Sequence, residues 1–261
     1  NQTAGKGGAS MKDKFGKDKT GRNDTGTDES GPIRKSGKPG GNAARRGDET
    51  RRALIQAGLE LFGEYGIKGT STRMLAELSG ANVAAIPYHF GSKQGLYLAV
   101  VEHIVEAISV AIGEVLQDLE AEIAAGPMEK DRALAGCQRI FRSLAELMVE
   151  SDEPKIWARV LLREQFHPTE GFDLFYDRHI RRVQRILTRL AGACTGLDPE
   201  TGEVKIRVHA LIGQLLGFLV NRESLLRALG TERLTKSHTE SIHRVLAAHV
   251  AGCLGFPIYA G

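Results

Sequence analysis

The chain has 261 residues, of which 41% are apolar, with a formal net charge of +3 and three cysteines; this is enough apolar material for the core of one large domain or two small ones. Its apolar runs are short: Ala210 to Val220 covers only about half a membrane span and includes Gln214, so no transmembrane helix is expected. No leader of signal-peptide length stands near the N-terminus, and Cys137, Cys194 and Cys253 are too widely spaced for a CxxC pair, which argues for a reducing cytoplasm and against a disulfide framework or a zinc site.

The charge is unevenly spread. Residues 1–47 hold eleven Lys or Arg, five Asp or Glu and eleven glycines, a balance of +6 that leaves −3 for the remainder. So few large apolar side chains cannot offset the entropy of ordering, and this basic, Gly-rich tail is expected to be disordered. Two readings stand for it: a cationic arm for DNA phosphates or a minor groove, or a solubilising leader.

From Glu49 to Tyr65, Leu54, Ile55, Leu59, Leu61, Phe62 and Tyr65 share one helical face, and Gly66 ends the helix. Thr70 or Ser71 is placed to cap a second helix, leaving hydroxyls and backbone N–H groups for a phosphate. In that helix Leu75 and Leu78 are expected to face inward, while Ala76 permits close approach and Gly80 supplies the left-handed stop. Asn82 then caps a third helix whose Ile86 points back at the same leucines. Ala76, Gly80 and Ile86 have the spacing of a helix-turn-helix, although two packed helices with a glycine between them also occur in ordinary all-α cores. The outward candidates on the third helix are Asn82, Val83, Ala85, Tyr88 and His89, suited to a DNA groove. Pro87, about five residues past the expected cap, would shorten or bend this helix.

The segment Leu54 to Lys93 resembles the DNA-binding domain of TetR-family transcriptional regulators. The matching features are Leu61, Phe62 and Gly66, then Thr70, Ser71, Thr72 and Arg73 opening helix two, Ala76, Gly80, and the run Tyr88, His89, Phe90, Gly91, Ser92, Lys93. The run NVAAIPYHF, together with LLREQFHPTEGFDLFY at 161–176, looks like the branch of CerR-type regulators. The resemblance implies an all-α chain: a three-helix DNA-binding domain at 48–95 and a helical effector-binding and dimerisation domain at 96–261. It also implies DNA contacts from Thr70 to Arg73 and from the third helix, with Tyr88 and His89 on phosphates and Lys93 anchoring the backbone. A homodimer on a near-palindromic operator, with repression relieved by an unknown small molecule, is the behaviour expected of such a protein.

Periodicity predicts a long helix from Ser92 to Ala124, stopped by Gly126 and Pro127, and further helices near 129–149, 154–166, 172–192, 201–229 and 235–253. Trp157, Arg159, Arg163, Phe166, Phe172, Phe175 and Tyr176 combine apolar bulk with cations and are expected to line an effector pocket, or else to form a helical core with snorkelling arginines. Arg178, Arg181, Arg182, Arg185 and Arg189 form a stripe, read either as a solvated face or as an anion-attracting one. On the last long helices, Leu211, Leu215, Phe218, Ile242, Val245, Leu246 and Val250 are candidates for a dimer bundle, with an intrachain core as the alternative. His238, His243 and His249 do not share a metal-binding face, and no cofactor is expected. The motifs of hydrolases, nucleotide-binding loops and zincins are missing, which disfavours an enzyme acting on an apolar substrate. A non-specific architectural protein driven by the basic tail is the remaining alternative.

Overall fold

The computed structural model describes residues 40–150 and 153–257, and among these the regular structure is entirely helical. The helices are α1 (Gly40–Gly69), α2 (Thr72–Ser79), α3 (Ala85–Phe90), α4 (Lys93–Ala124), α5 (Lys130–Ala145), α6 (Glu153–Phe166), α7 (Glu170–Phe175), α8 (Arg181–Thr195), α9 (Gly202–Val220), α10 (Arg222–Leu229) and α11 (Lys236–Cys253). Single π-helical turns extend α5 through Glu146–Glu150 and join α7 to α8 through Tyr176–Ile180.

The first helix begins at Gly40 rather than Glu49, so residues 40–47 of the expected disordered tail are helical. Residues 1–39 of that expectation lie outside the described residues. The helix expected over 201–229 is two helices, divided at Asn221.

Capping sets most boundaries. Ser71 accepts the Met74 N–H at the start of α2, and Ser92 accepts the Gly95 N–H at the start of α4. Gly80 (φ 67°) closes α2 by donating to the Ala76 and Glu77 carbonyls, a conformation that a β-carbon would strain.

Helix α4 is the shared spine, roughly 48 Å long at the standard rise. It is long and apolar enough to cross a bilayer, yet Leu96, Val100, Val101, Ile104, Ile112, Leu116 and Leu119 are all buried against other helices. Its first turns pack with Leu54, Phe62, Leu75 and Ile86 of the head, and its later turns with Ile140, Phe141, Val183 and Ile186 of the body, in one continuous core. Two inward expectations fail: Leu78 is 50% exposed and Tyr65 is 49% exposed. In a helix as short as α2, Leu75 and Ala76 already fill the contact with α1, and Leu78 falls outside it.

Four of the five arginines in the stripe are ion-paired. Arg178 pairs with Glu102, while Arg182 and Arg185 both pair with Glu120, tying α8 and the π-helical turn before it to α4; Arg181 pairs with Asp177. The hydrogen bond from Arg182 holds the Glu120 carboxyl below the usual carboxylate range.

Two glycines of α4 make opposite predictions. A β-carbon at Gly95 would lie inside the contact shell of the Phe90 carbonyl oxygen, whereas one at Gly113 would meet nothing within 4 Å. Gly95→Ala is therefore expected to destabilise the chain by about 3 kcal/mol or more, because backbone must move. Gly113→Ala is expected to stabilise it by about 0.5–1 kcal/mol. Urea unfolding of both variants checks the pair.

Candidate nucleic-acid interface

Helix α3 is short, and its start explains how it accommodates a proline. The Asn82 side chain does not cap it directly: Asn82 Oδ1 accepts the Ala84 N–H (2.9 Å), and the Asn82 and Val83 carbonyls take the N–H groups of Ala85 and Ile86 in tight turns. The helix proper begins at Ala85, so Pro87 occupies its first turn, where a missing N–H costs no intrahelical bond. The helix is short, as expected, but the proline stands in its first turn instead of about five residues past the cap. Ile86 is buried against Leu75, and Ala85 is half-buried against the core instead of facing outward.

What remains outward is a compact polar and aromatic surface. Asn82 and Val83 are exposed, Tyr88 is 83% exposed, and the Tyr88 ring meets His89 edge-on at 4.9 Å. Ser71 and Arg73 are exposed at the start of α2, with Thr72 half-buried beside them. Helix α1 adds two neighbours that sequence reading missed: Arg51 lies over the Phe90 ring at 5.4 Å, and Gly47 is close to His89. Both precede the stretch of family resemblance, and only the placement of α1 against α3 reveals them.

Two expected DNA contacts have partners within the chain. Thr70 is buried, and its hydroxyl lies 2.8 Å from the Gly66 carbonyl oxygen and 3.0 Å from that of Leu61. Lys93 is half-buried and donates to the Ile67 and Thr70 carbonyls, both at 2.7 Å. The reason is the kink at Gly66 (φ 69°), which interrupts the helical ladder near the end of α1 and leaves carbonyls to be satisfied from elsewhere. Arg163 of α6 serves the same end, donating to the Gly63 carbonyl (3.1 Å) and to that of Glu64.

The expected effector-pocket residues do not share one pocket. Trp157 and Phe175 are core, Phe172 stacks on Tyr176 at 6.0 Å, and Phe175 stacks on His179 at 5.6 Å. Arg159, Arg163 and Phe166 instead border a cavity of about 370 Å³ against Gly63 of α1. Helix α6 also carries a buried carboxylate that sequence reading missed. Glu164, 2% exposed, accepts from the Tyr97 hydroxyl (2.5 Å), the Thr169 N–H (2.9 Å) and the Thr169 hydroxyl. Burial, and then the Glu164 carboxylate, push the Tyr97 phenol well above its usual range. Burial, and then Arg182, bring His179 down to about 4, so it is neutral at pH 7.

Two family models match this chain: that of the bacterial regulatory proteins of the tetR family over residues 54–100, and the C-terminal domain of the HTH-type transcriptional dual regulator CecR over residues 136–255. The chain is 32% identical over 205 residues to the HTH-type transcriptional dual regulator CecR of Shigella flexneri, covering 78% of this chain and 91% of that protein. The chain belongs to the TetR family. Two solved structures share the fold. AibR in complex with isovaleryl coenzyme A and operator DNA has a TM-score of 0.54 at 14% identity, covering 76% of this chain and 96% of that one. A TetR-family regulator of Mesorhizobium loti has a TM-score of 0.50 at 21% identity, covering 80% and 96%.

Among the candidates for a TetR-family dimer bundle, Leu211, Leu215, Ile242, Leu246 and Val250 are buried within the chain, and Phe218 is half-buried. They belong to the intrachain core because α9 and α11 pack on the body with their most apolar faces. Val245 alone of the seven is exposed, at 46%. The outward face of α9 carries Ile206 (70% exposed), Ala210, Gly213, Gly217 and Val220 at alternating four- and three-residue steps. Among the described residues, apart from the chain neighbours and the backbone of α9 itself, nothing lies within 4 Å of a β-carbon built on Gly213 or Gly217.

The two kinds of residue in the head are separable by experiment. Lys93→Met is expected to lower stability by about 2 kcal/mol by leaving two carbonyls without a charged donor. Tyr88→Ala is expected to leave the thermal midpoint unchanged while weakening duplex binding about tenfold, a loss typical of an exposed interface anchor. Thermal unfolding and fluorescence anisotropy on a labelled duplex, run on both variants, check this division.

Proposed function

We propose that the chain is a homodimeric, ligand-responsive transcriptional regulator, with repression as its usual output and no catalytic activity. The supporting observation is the α3 surface, where Tyr88 projects almost fully exposed between Asn82, Val83 and His89 while Ile86 fixes the helix to the head. An α-helix so presented fits the major groove, its flanks resting on phosphates. Ser71, Thr72 and Arg73 at the N-terminus of α2, together with Arg51, are the phosphate contacts in this reading.

The exposed stripe of α9 and the neighbouring Val245 of α11 supply the face for a second copy. Its small residues permit close helix approach, and a two-fold axis there would carry two heads to half-sites about 34–36 Å apart or a multiple of that. The relatives support the rest: AibR is found in complex with isovaleryl coenzyme A and operator DNA, and CecR is a dual regulator. A ligand acts by preferring one of two conformers, and shifts their balance only by its differential affinity.

Residues 40–95 carry seven Lys or Arg against five Asp or Glu, so the head itself is only weakly cationic. Specific contacts, more than bulk charge, have to carry its DNA affinity. Selection from a random duplex pool at near-physiological salt, with the full chain and with a form lacking residues 1–39, is expected to enrich the same inverted repeat in both. Gly217→Leu is expected to keep the fold, since its side chain meets open space, yet to give monomers by sedimentation and to lose tight binding to the repeat. Absence of any enriched sequence, or a Gly217→Leu protein that stays dimeric, would contradict the corresponding half of the proposal.

A further inference from the structure

The cavity between α1 and α6 lies at the junction of head and body, and its chemistry is one-sided. Arg159, Arg163 and Phe166 follow one another at four- and three-residue steps on a single face of α6, with Leu162 and His167 beside them and Gly63 of α1 as the opposite wall. No carboxylate borders it. Arg159 is exposed and has no acidic partner among the described residues, and Phe166 is 76% exposed. Arg163, in contrast, is engaged: it reaches across to the Gly63 and Glu64 carbonyls beside the Gly66 kink.

We propose that this junction cavity binds a small anion with an apolar body, such as an aromatic or branched-chain carboxylate, and that the anion regulates DNA binding by drawing Arg163 away from α1. The proposal rests on the DNA-binding reading given above. A carboxylate between Arg159 and Arg163 accepts paired, charge-assisted hydrogen bonds from both guanidinium groups, a stronger partner than two neutral carbonyls. The apolar body lies on Phe166 and Leu162, and about 370 Å³ suits a ligand of that modest size. Without Arg163, Lys93 and Thr70 remain as side-chain donors to the carbonyls near the end of α1, and the head gains freedom relative to α6. The buried Glu164, one residue further on, keeps α6 fixed to α4 through Tyr97, so the change falls on α1.

A tethered charge tests this without knowledge of the natural apolar group. Phe166→Cys protein is alkylated in one sample with iodoacetate and in another with iodoacetamide, giving side chains of nearly equal size that differ in charge; wild type is treated alike to account for the native cysteines. Affinity is then read by anisotropy on a duplex carrying the selected repeat. The carboxymethyl form is expected to bind about tenfold more weakly than the carbamidomethyl form, a typical allosteric coupling. Adding Arg163→Gln is expected to remove the difference between the two. Equal affinity of the two alkylated forms, or a difference that survives Arg163→Gln, would overturn the proposal. No binding by the unmodified protein would remove the DNA-binding reading, and this proposal with it.

Discussion

A break in one helix organises the head of this protein. The positive φ of Gly66 lets α1 turn toward α2, and the same turn leaves main-chain oxygens near its end without their usual donors. Three side chains from three directions answer them: the Thr70 hydroxyl at Gly66 and Leu61, the Lys93 ammonium at Ile67 and Thr70, and the Arg163 guanidinium at Gly63 and Glu64. These donors satisfy main-chain carbonyls near the end of α1, and this local arrangement ties α1, α4 and α6 together. Lys93 opens α4, directly after the Gly91–Ser92 turn that ends α3. The orientation of the helix with the exposed Tyr88 therefore follows from how the end of α1 is closed.

That closure also joins two functional halves. Head and body share one apolar core along α4, which by itself resists sliding. The polar links differ in kind. Glu164 is buried and holds its partners by short hydrogen bonds, whereas Arg163 sits at the rim of an open cavity with Arg159 beside it. In the proposed mechanism, adjacent residues of α6 supply one connection that stays and one that is exchanged.

Much of the head was legible from the amino-acid order because it depends on local rules. The Ser71 cap, the Gly80 stop, the inward Ile86 and the Gly126–Pro127 end of α4 each follow from neighbouring residues. The short α3 was legible from Pro87, but α3 starts later than Asn82 suggests, which makes the proline a first-turn residue. Thr70 and Lys93 resemble phosphate ligands in sequence, and their real partners lie across the turn or more than twenty residues away, which no spacing rule exposes. The same holds for Glu164, which meets Tyr97 of α4 and Thr169 at the cap of α7. On α9 and α11 the error was one of face. Large residues such as Leu215 and Leu246 entered the chain's own core, while the small Gly213 and Gly217 remained outside.

Amide hydrogen exchange of Arg163→Met protein against wild type tests the central role of the α1 closure. If that closure positions the head, peptides spanning residues 66–96 will exchange faster in the variant, while those from α5, α8 and α11 keep their protection. Unchanged protection across residues 66–96 would contradict the account, since the head would then be held by its apolar core alone.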